Sequence, residues 1–199
     1  MSDVMKTPSA GTESGLLDRD RVLALLHEYT EGAALRKHAV AVEAAMRAYA
    51  LRGSHDEALW GAAGLLHDMD YEKHPTPEEH PRVGCRILEE RGYPPALMEA
   101  ILGHASYTGV PRVSPMAKTL FAVDELCGLI TATALVMPSK RLADVTAESV
   151  LRKMKTKGFA RSLNRDDIEH GATELGVPLE EHVSVVLIAL QGAAERLGL

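Results

Sequence analysis

The sequence predicts an all-α protein, and two observations support that fold class. Apolar residues recur three and four positions apart along most of the chain, as they do in an amphipathic helix. No stretch alternates with the period of two that marks a half-buried strand. We expect one helical domain over residues 18–199, preceded by a flexible N-terminal tail over residues 1–17 and including a C-terminal helical extension over residues 139–199.

The first half of the chain places polar residues where helices should be apolar. Helices are predicted over Asp18–Tyr29 and Ala33–Leu51, and His38 falls on the apolar face of the second. The next helix carries His67 and Asp68 near its end, after a run of small apolar residues. Burying an imidazole beside a carboxylate costs free energy unless both have partners, and a divalent cation is a partner that suits both.

The following helices repeat this anomaly. The sequence Thr76-Pro-Glu-Glu79 has the pattern of a capping box and predicts a helix that begins there, with His80 on its apolar side. A short helix over Ala96–Gly103 is directly followed by His104. A long, almost wholly apolar helix carries Asp124 in its middle, where an ionised carboxylate needs a countercharge or a metal.

The last third of the chain is also predicted to be helical, but it contains no recognisable motif. Capping residues and stop signals predict helices over Ala147–Met154, Arg165–Leu175 and Pro178–Leu197. A cationic cluster lies at Arg152–Lys157. Such a cluster is more often a solvated helix face than a binding surface.

Six inward-pointing or anomalous polar residues therefore lie on five separate helices or helix ends: His38, His67, Asp68, His80, His104 and Asp124. Taken singly, each histidine is more often a satisfied core or surface imidazole, and the last aspartate could form an ion pair. Taken together, they have the distribution that a site at the centre of a helical bundle requires. Nitrogen and oxygen donors without thiolate suit Fe, Mn, Co, Ni or Mg. Cys85 and Cys127 show no paired spacing and are interpreted as reduced core thiols.

The order of these residues resembles that of the HD-domain metal-dependent phosphohydrolase superfamily. The minimal pattern of that family is a histidine, a His-Asp doublet and a distal aspartate, which are matched here by His38, His67, Asp68 and Asp124. A two-metal subgroup has two further histidines between the doublet and the distal aspartate, and His80 and His104 fit them. The resemblance then implies two divalent metal ions, with Asp68 bridging them.

The resemblance covers roughly residues 33–133 and implies an HD-domain-like helical bundle with the metal site in its core. The sequence His80-Pro-Arg-Val-Gly-Cys-Arg-Ile-Leu88 is similar to the His-x-x-x-Gly-x-x-Ile-Leu helix of the two-metal subgroup. The doublet continues as His67-Asp-Met-Asp-Tyr71, where the cyclic-dinucleotide phosphodiesterase branch has His-Asp-Ile-Gly-Lys. We therefore do not expect a cyclic-dinucleotide enzyme.

The function expected from this resemblance is hydrolysis of a phosphoester of a small metabolite, foremost a nucleotide, by a metal-activated water. We expect Asp68, Glu72 and Lys73 to be catalytic, with Glu72 in proton transfer and Lys73 in phosphate contact. Lys140 and Lys157 are candidates for binding substrate phosphate at a cationic rim. An exposed charged loop accounts for Glu72 and Lys73 about as well. A solvated helix face is the more common explanation of the cationic cluster that contains Lys157.

Two other functions are consistent with the same residues. Histidine-rich relatives with this ligand order include di-iron oxygenases, and a non-catalytic module could use the metal to organise a ligand-binding core.

The net charge of −6 and the scarcity of aromatic residues are unlike a nucleic-acid binder. No run approaches the apolar length of about 20 residues that spans a membrane. We expect a cytoplasmic monomer or homodimer.

Overall fold

The computed structural model describes residues 13–199, with side chains from residue 15 onward. The described residues contain no β-strand, which confirms the all-α class. They form eleven α-helices: α1 (Glu13–Leu16), α2 (Arg19–Tyr29), α3 (Ala33–Gly53), α4 (Glu57–Leu66), α5 (Arg82–Glu90), α6 (Pro95–His104), α7 (Pro115–Val136), α8 (Ala147–Met154), α9 (Arg165–Leu175), α10 (Leu179–Gly192) and α11 (Ala194–Leu197). Most of the tail expected over residues 1–17 lies outside the described residues, but its last part contains α1.

Helices α3 and α4 approach each other very closely. A Cβ atom added at Gly64 would lie 2.8 Å from the Cα atom of Glu43, which is closer than real Cβ atoms come to backbone. Only a glycine allows α4 to lie this near to α3. Because of this approach, His67 lies just past the end of α4 with its ring centroid 5.3 Å from that of His38 on α3.

A buried ion pair fixes the outer side of α3. The carboxylate of Glu43 is fully buried and accepts two hydrogen bonds from Arg19 on α2, at 2.7 and 2.8 Å. Arg47, one turn further along α3, donates a third bond at 2.9 Å. A buried carboxylate is tolerated only when it is paired and hydrogen-bonded in this way.

Helix α7 is the central helix of the bundle. It packs against α3, α6 and α9, and most of its apolar side chains are fully buried. Its length and mean hydropathy of 1.6 would suffice to cross a membrane, which the sequence analysis did not anticipate. However, 61% of this apolar window is buried against the other helices, and Asp124 lies in its middle. Its apolar side chains therefore form the core of the bundle.

The C-terminal helices pack directly on the central ones. In α10, the fully buried His182 accepts a hydrogen bond from the Tyr49 hydroxyl of α3 at its Nδ1 atom, at 2.6 Å. Its Nε2–H group donates to the carbonyl oxygen of Ala122 in α7, at 2.9 Å. One neutral imidazole thus connects three helices.

This histidine predicts a pH dependence of stability. Burial lowers the pKa of His182 in the folded protein, only partly offset by its bond to Ala122. As the pH falls through about 6.5, the unfolded chain takes up a proton there that the folded protein does not, so the free energy of unfolding falls. We expect His182→Phe to lower stability by about 1–3 kcal/mol at pH 7.5 and to show a weaker loss between pH 7.5 and 5 than the wild type.

Urea unfolding of both proteins in a chelator, at several pH values, measures this difference. The exposed His27 provides a matched control, since His27→Gln also removes a histidine. An equal loss of stability in the wild type and in His182→Phe would contradict the prediction.

The segment between α4 and α5 differs from its predicted structure. A helix was expected to begin at Thr76, but residues 71–81 form turns and α5 begins at Arg82. The Thr76 hydroxyl donates to the Glu79 carboxylate at 3.1 Å, so the two residues do interact. Pro81 explains the difference, because it has no N–H group with which to continue a helix that begins at Thr76.

Candidate metal centre

The His-Asp doublet lies where α4 ends. His67 is the C-cap residue of α4, and its Nδ1–H group donates to the carbonyl oxygen of Gly64 at 2.8 Å. A carbonyl oxygen only accepts, so the Nδ1 atom carries a proton and the Nε2 atom of the neutral ring carries a lone pair. The end of the helix therefore sets both the orientation and the tautomer of His67.

The Nε2 atom of His67 is the one buried side-chain polar atom without a hydrogen-bond partner among the described residues. It lies 3.4 Å from Oδ2 of Asp68 and 3.5 Å from Oδ1 of Asp124. Three electron-rich atoms thus face one another in the interior, an arrangement that costs free energy unless a proton or a cation lies between them. The donor set therefore fits a metal ion.

His38 completes this first group of donor atoms. Its Nε2 atom lies 2.8 Å from Oδ1 of Asp124. One donor atom each from His38, His67 and Asp68 lie within 4.8 Å of one another. The helices α3, α4 and α7 bring these side chains together.

A second group of donor atoms faces the other oxygen of Asp68. The Nε2 atoms of His80 and His104 lie 3.2 and 3.5 Å from Oδ1 of Asp68. The Nδ1–H group of His104 donates to the carbonyl oxygen of Ile101 at 2.5 Å, which leaves its Nε2 atom free to bind a metal. Asp68 belongs to both groups, and the structure brings all six ligand residues expected from the sequence into one cluster.

The charges of the cluster stabilise one another. Burial lowers the pKa of His67, but the nearby carboxylates of Asp68 and Asp124 raise it well above the ordinary value. Burial raises the pKa of Asp68, yet contacts with the histidines hold it well below its usual range, and the same holds for Asp124. For His80, burial is outweighed by contacts with two carboxylates, which raise its pKa to about 9. Without a metal, protons supply the positive charge that a divalent ion would supply.

Asp70 is a residue of the cluster that the sequence analysis missed. The sequence analysis assigned it no role, but its side chain is fully buried. One carboxylate oxygen accepts from Nδ1–H of His80 at 2.7 Å, and the other accepts from the Gly84 N–H group at 2.7 Å. A Cβ atom at Gly84 would lie 3.0 Å from the carboxyl carbon of Asp70, so the glycine lets the carboxylate approach. Asp70 therefore orients His80 and fixes its tautomer.

We expect Asp70→Asn to weaken metal binding at the His80 side of the cluster by about 10–100-fold. An amide can accept from His80 only by turning its NH₂ group toward the Gly84 N–H group, where two donors would oppose each other. A calorimetric titration with metal measures the loss of affinity. Glu79→Gln is the matched control, because Glu79 contacts His74 at 3.1 Å in a partly exposed pair outside the cluster. Unchanged metal affinity in Asp70→Asn would contradict this role.

The two auxiliary catalytic residues expected from the sequence have other contacts. The carboxylate of Glu72 accepts from the backbone N–H groups of Glu31 and Gly32, ahead of α3. These hydrogen bonds lower the pKa of Glu72. The Nζ atom of Lys73 donates to the carbonyl oxygen of Glu28 at 3.2 Å. Glu72 thus binds the connection between α2 and α3, and Lys73 binds the last turn of α2, rather than the histidine cluster.

The lysines expected at a phosphate-binding rim are also away from the cluster. Lys140 and Lys157 are exposed, and neither lines the cavity above the histidines. Their assignment to substrate phosphate stays a prediction without a contact to support it.

A cavity of about 460 Å³ opens above the cluster. Its floor contains Asp68, His80, His104 and Asp124, and its walls are formed by Tyr71, Ala105, Ser106, Tyr107, Phe121, Glu125, Asn164 and Asp167. Burial, followed by the charge of Asp124, raises the pKa of Glu125 to about 7. Asn164 and Asp167 come from the beginning of α9, a part of the chain to which the sequence assigned no role.

Comparison with known proteins agrees with this geometry. The family model described as HD domain matches residues 35–128, a range that includes all six clustered ligands. No curated protein and no solved structure matches the chain at a significant level. Residues 35–128 of the chain therefore form an HD domain.

Proposed function

We propose that this protein is a metal-dependent hydrolase that cleaves a phosphoester of a small metabolite. The observation that carries the proposal is the unpartnered Nε2 atom of His67, which faces two carboxylates below an open cavity. HD domains bind divalent metals, and many of them are phosphohydrolases. The buried donor set explains why a metal would bind here, and the cavity explains how a substrate would reach it.

Two ions are favoured by the way the ligands divide around Asp68. One of its oxygens faces His67 and the other faces His80 and His104. One carboxylate could therefore be shared between an ion on the His38 side and an ion on the His80 side. When bound, such ions would make a water nucleophilic at neutral pH and neutralise the oxygens of a phosphoryl group.

Hydrogen bonds within the chain orient the histidine ligands for this chemistry. The carbonyl oxygens of Gly64 and Ile101 and the carboxylate of Asp70 each hold an Nδ1 proton, so three Nε2 atoms are directed at the same carboxylate. The cavity of about 460 Å³ has the size of a small-metabolite site and could hold a nucleotide at most. In hydrolysis the water oxygen bonds to phosphorus and the P–O bond to the alcohol breaks, which releases the alcohol together with phosphate from a monoester or a phosphomonoester from a diester. The cytoplasmic location expected from the sequence suits such a substrate.

Metal reconstitution with a substrate panel tests the proposal. The protein would be stripped with a chelator and reloaded separately with Mn, Fe, Co, Ni or Mg. It would then be assayed for phosphate release from phosphomonoesters and for release of the alcohol and the phosphomonoester from phosphodiesters. We expect release only after reloading, with close to two ions bound per chain by elemental analysis. Oxygen consumption by the iron-loaded protein without phosphate release would instead favour the oxygenase. Tight binding without turnover would favour the non-catalytic module.

A further inference from the structure

The cavity above the metal cluster has acidic walls. Glu125 and Asp167 line it in addition to the two carboxylates of the floor, and no lysine or arginine is among the residues that line it. Any positive charge for a substrate phosphate must therefore come from the metal ions. A second or third phosphate group, lying farther out, would meet carboxylates instead of cations.

Two arginines beside this wall have other partners, one over Phe121 and one next to Asn164 in the chain. Arg112 donates to the carboxylate of Glu174 at 2.6 Å, and its guanidinium group lies 3.7 Å from the ring centroid of Phe121. Arg165 in α9 donates to the carbonyl oxygens of Met154 and Phe159. Both guanidinium groups are thus hydrogen-bonded to backbone or to another carboxylate. Asp167 accepts its hydrogen bond from the Asn164 amide at 2.6 Å, and the charge of Arg112 acts on it only from a distance.

Aromatic side chains lie on the same cavity. Tyr71 packs edge-on against His80, with ring centroids 5.1 Å apart, and is 42% exposed. Tyr107 also lines the cavity and is 52% exposed. Aromatic faces attract cations, and the attraction is stronger where the site is shielded from water.

We propose that this wall selects a phosphoester whose organic part carries a cationic ammonium group. The proposal rests on the proposed function for the phosphoryl end of the substrate, which the metal ions at the floor would bind. The ammonium group would lie against Asp167 and over the tyrosine rings. Since Asp167 comes from α9, the proposal gives the helices after the HD domain a role in specificity.

Matched substrates test the charge requirement directly. Phosphocholine and 3,3-dimethylbutyl phosphate have nearly the same shape and differ by the charge of the quaternary nitrogen. We expect the metal-loaded protein to hydrolyse phosphocholine with a kcat/KM at least about tenfold higher. We expect adenosine triphosphate to be a poorer substrate than either. Equal rates for the two matched esters, or a preference for the triphosphate, would overturn the proposal while leaving the hydrolase function in place.

Variants of α9 test the role of Asp167 in binding the ammonium group. Asp167→Asn should lower kcat/KM for phosphocholine by about tenfold or more and leave that for the neutral ester nearly unchanged. Asp166→Asn is the matched control, because it removes the same charge one position away, at a residue that does not line the cavity. Equal effects of the two substitutions on phosphocholine would overturn the assignment.

A binding measurement separates this inference from the hydrolase function. Choline itself, titrated into the metal-loaded protein by calorimetry, should bind the wild type and Asp166→Asn alike and Asp167→Asn about tenfold more weakly. This result would support the cationic subsite even if no phosphoester in the panel were hydrolysed. Absence of choline binding to the wild type would overturn it, whatever the hydrolysis assays gave.

Discussion

Asp68→Asn is expected to reduce metal-dependent hydrolysis by at least about 10³-fold, the largest effect of any single substitution in the protein. The two oxygens of Asp68 face different groups of histidines, His67 on one side and His80 and His104 on the other. An amide carries no charge and offers one acceptor atom in place of two. It could therefore not be shared between two ions.

Elemental analysis of the reconstituted variant, together with the phosphate-release assay, measures this effect. We expect fewer ions per chain as well as the loss of activity. Asp68→Glu serves as the control, because it retains the charge but moves the carboxylate by one methylene group. It should keep metal binding better than Asp68→Asn does. A fully active Asp68→Asn variant with a normal metal content would contradict the bridging role.

Gly171→Ala is expected to lower the free energy of unfolding by about 1–3 kcal/mol, although alanine is the better helix former. A Cβ atom at this position in α9 would lie 2.5 Å from the Cα atom of Ala122 in α7. Backbone atoms cannot turn aside as a flexible side chain can, so the two helices would have to separate. That separation would also displace Asp167, one turn earlier in α9, from the wall of the cavity.

Chemical denaturation compares this variant with Gly192→Ala. Gly192 ends α10, and a Cβ atom there would meet nothing within 4 Å. That control should be neutral or stabilised by about 1 kcal/mol, since glycine costs conformational entropy in a helix. If both variants had the same stability, the close contact between α7 and α9 would not be the cause. Gly171→Ala should in addition weaken choline binding, which Gly192→Ala should not.

Periodicity was sufficient to predict that His38 and His80 point into the helical bundle. A residue on the apolar face of an amphipathic helix points to the interior whatever the neighbouring helices are, so His38 and His80 could be placed without knowing their partners. The anomalous charge of Asp124 was informative for the same reason. The helices over Ala147–Met154 and Arg165–Leu175 were also predicted correctly, because capping residues and a terminal glycine mark their ends.

Local patterns failed where a contact between distant segments decides the outcome. Asp70 resembled a loop charge, since the hydrogen bond from Gly84 that buries it depends on how α5 returns to the doublet. Glu72 could be assigned to catalysis only while its bonds to the residues ahead of α3 were unknown. The contribution of Asp167 to the cavity depends on how α9 docks on α7, and the sequence of α9 alone does not specify it.

The origin of the cavity residues has a consequence for how this protein could diversify. The ligands of the floor all lie within residues 35–128, whereas Asn164 and Asp167 come from a later helix. Drift in α9 could therefore change which molecules enter without altering the groups that hold the ions. Related chains with the same six ligands and a different residue at position 167 would then catalyse the same reaction on different substrates.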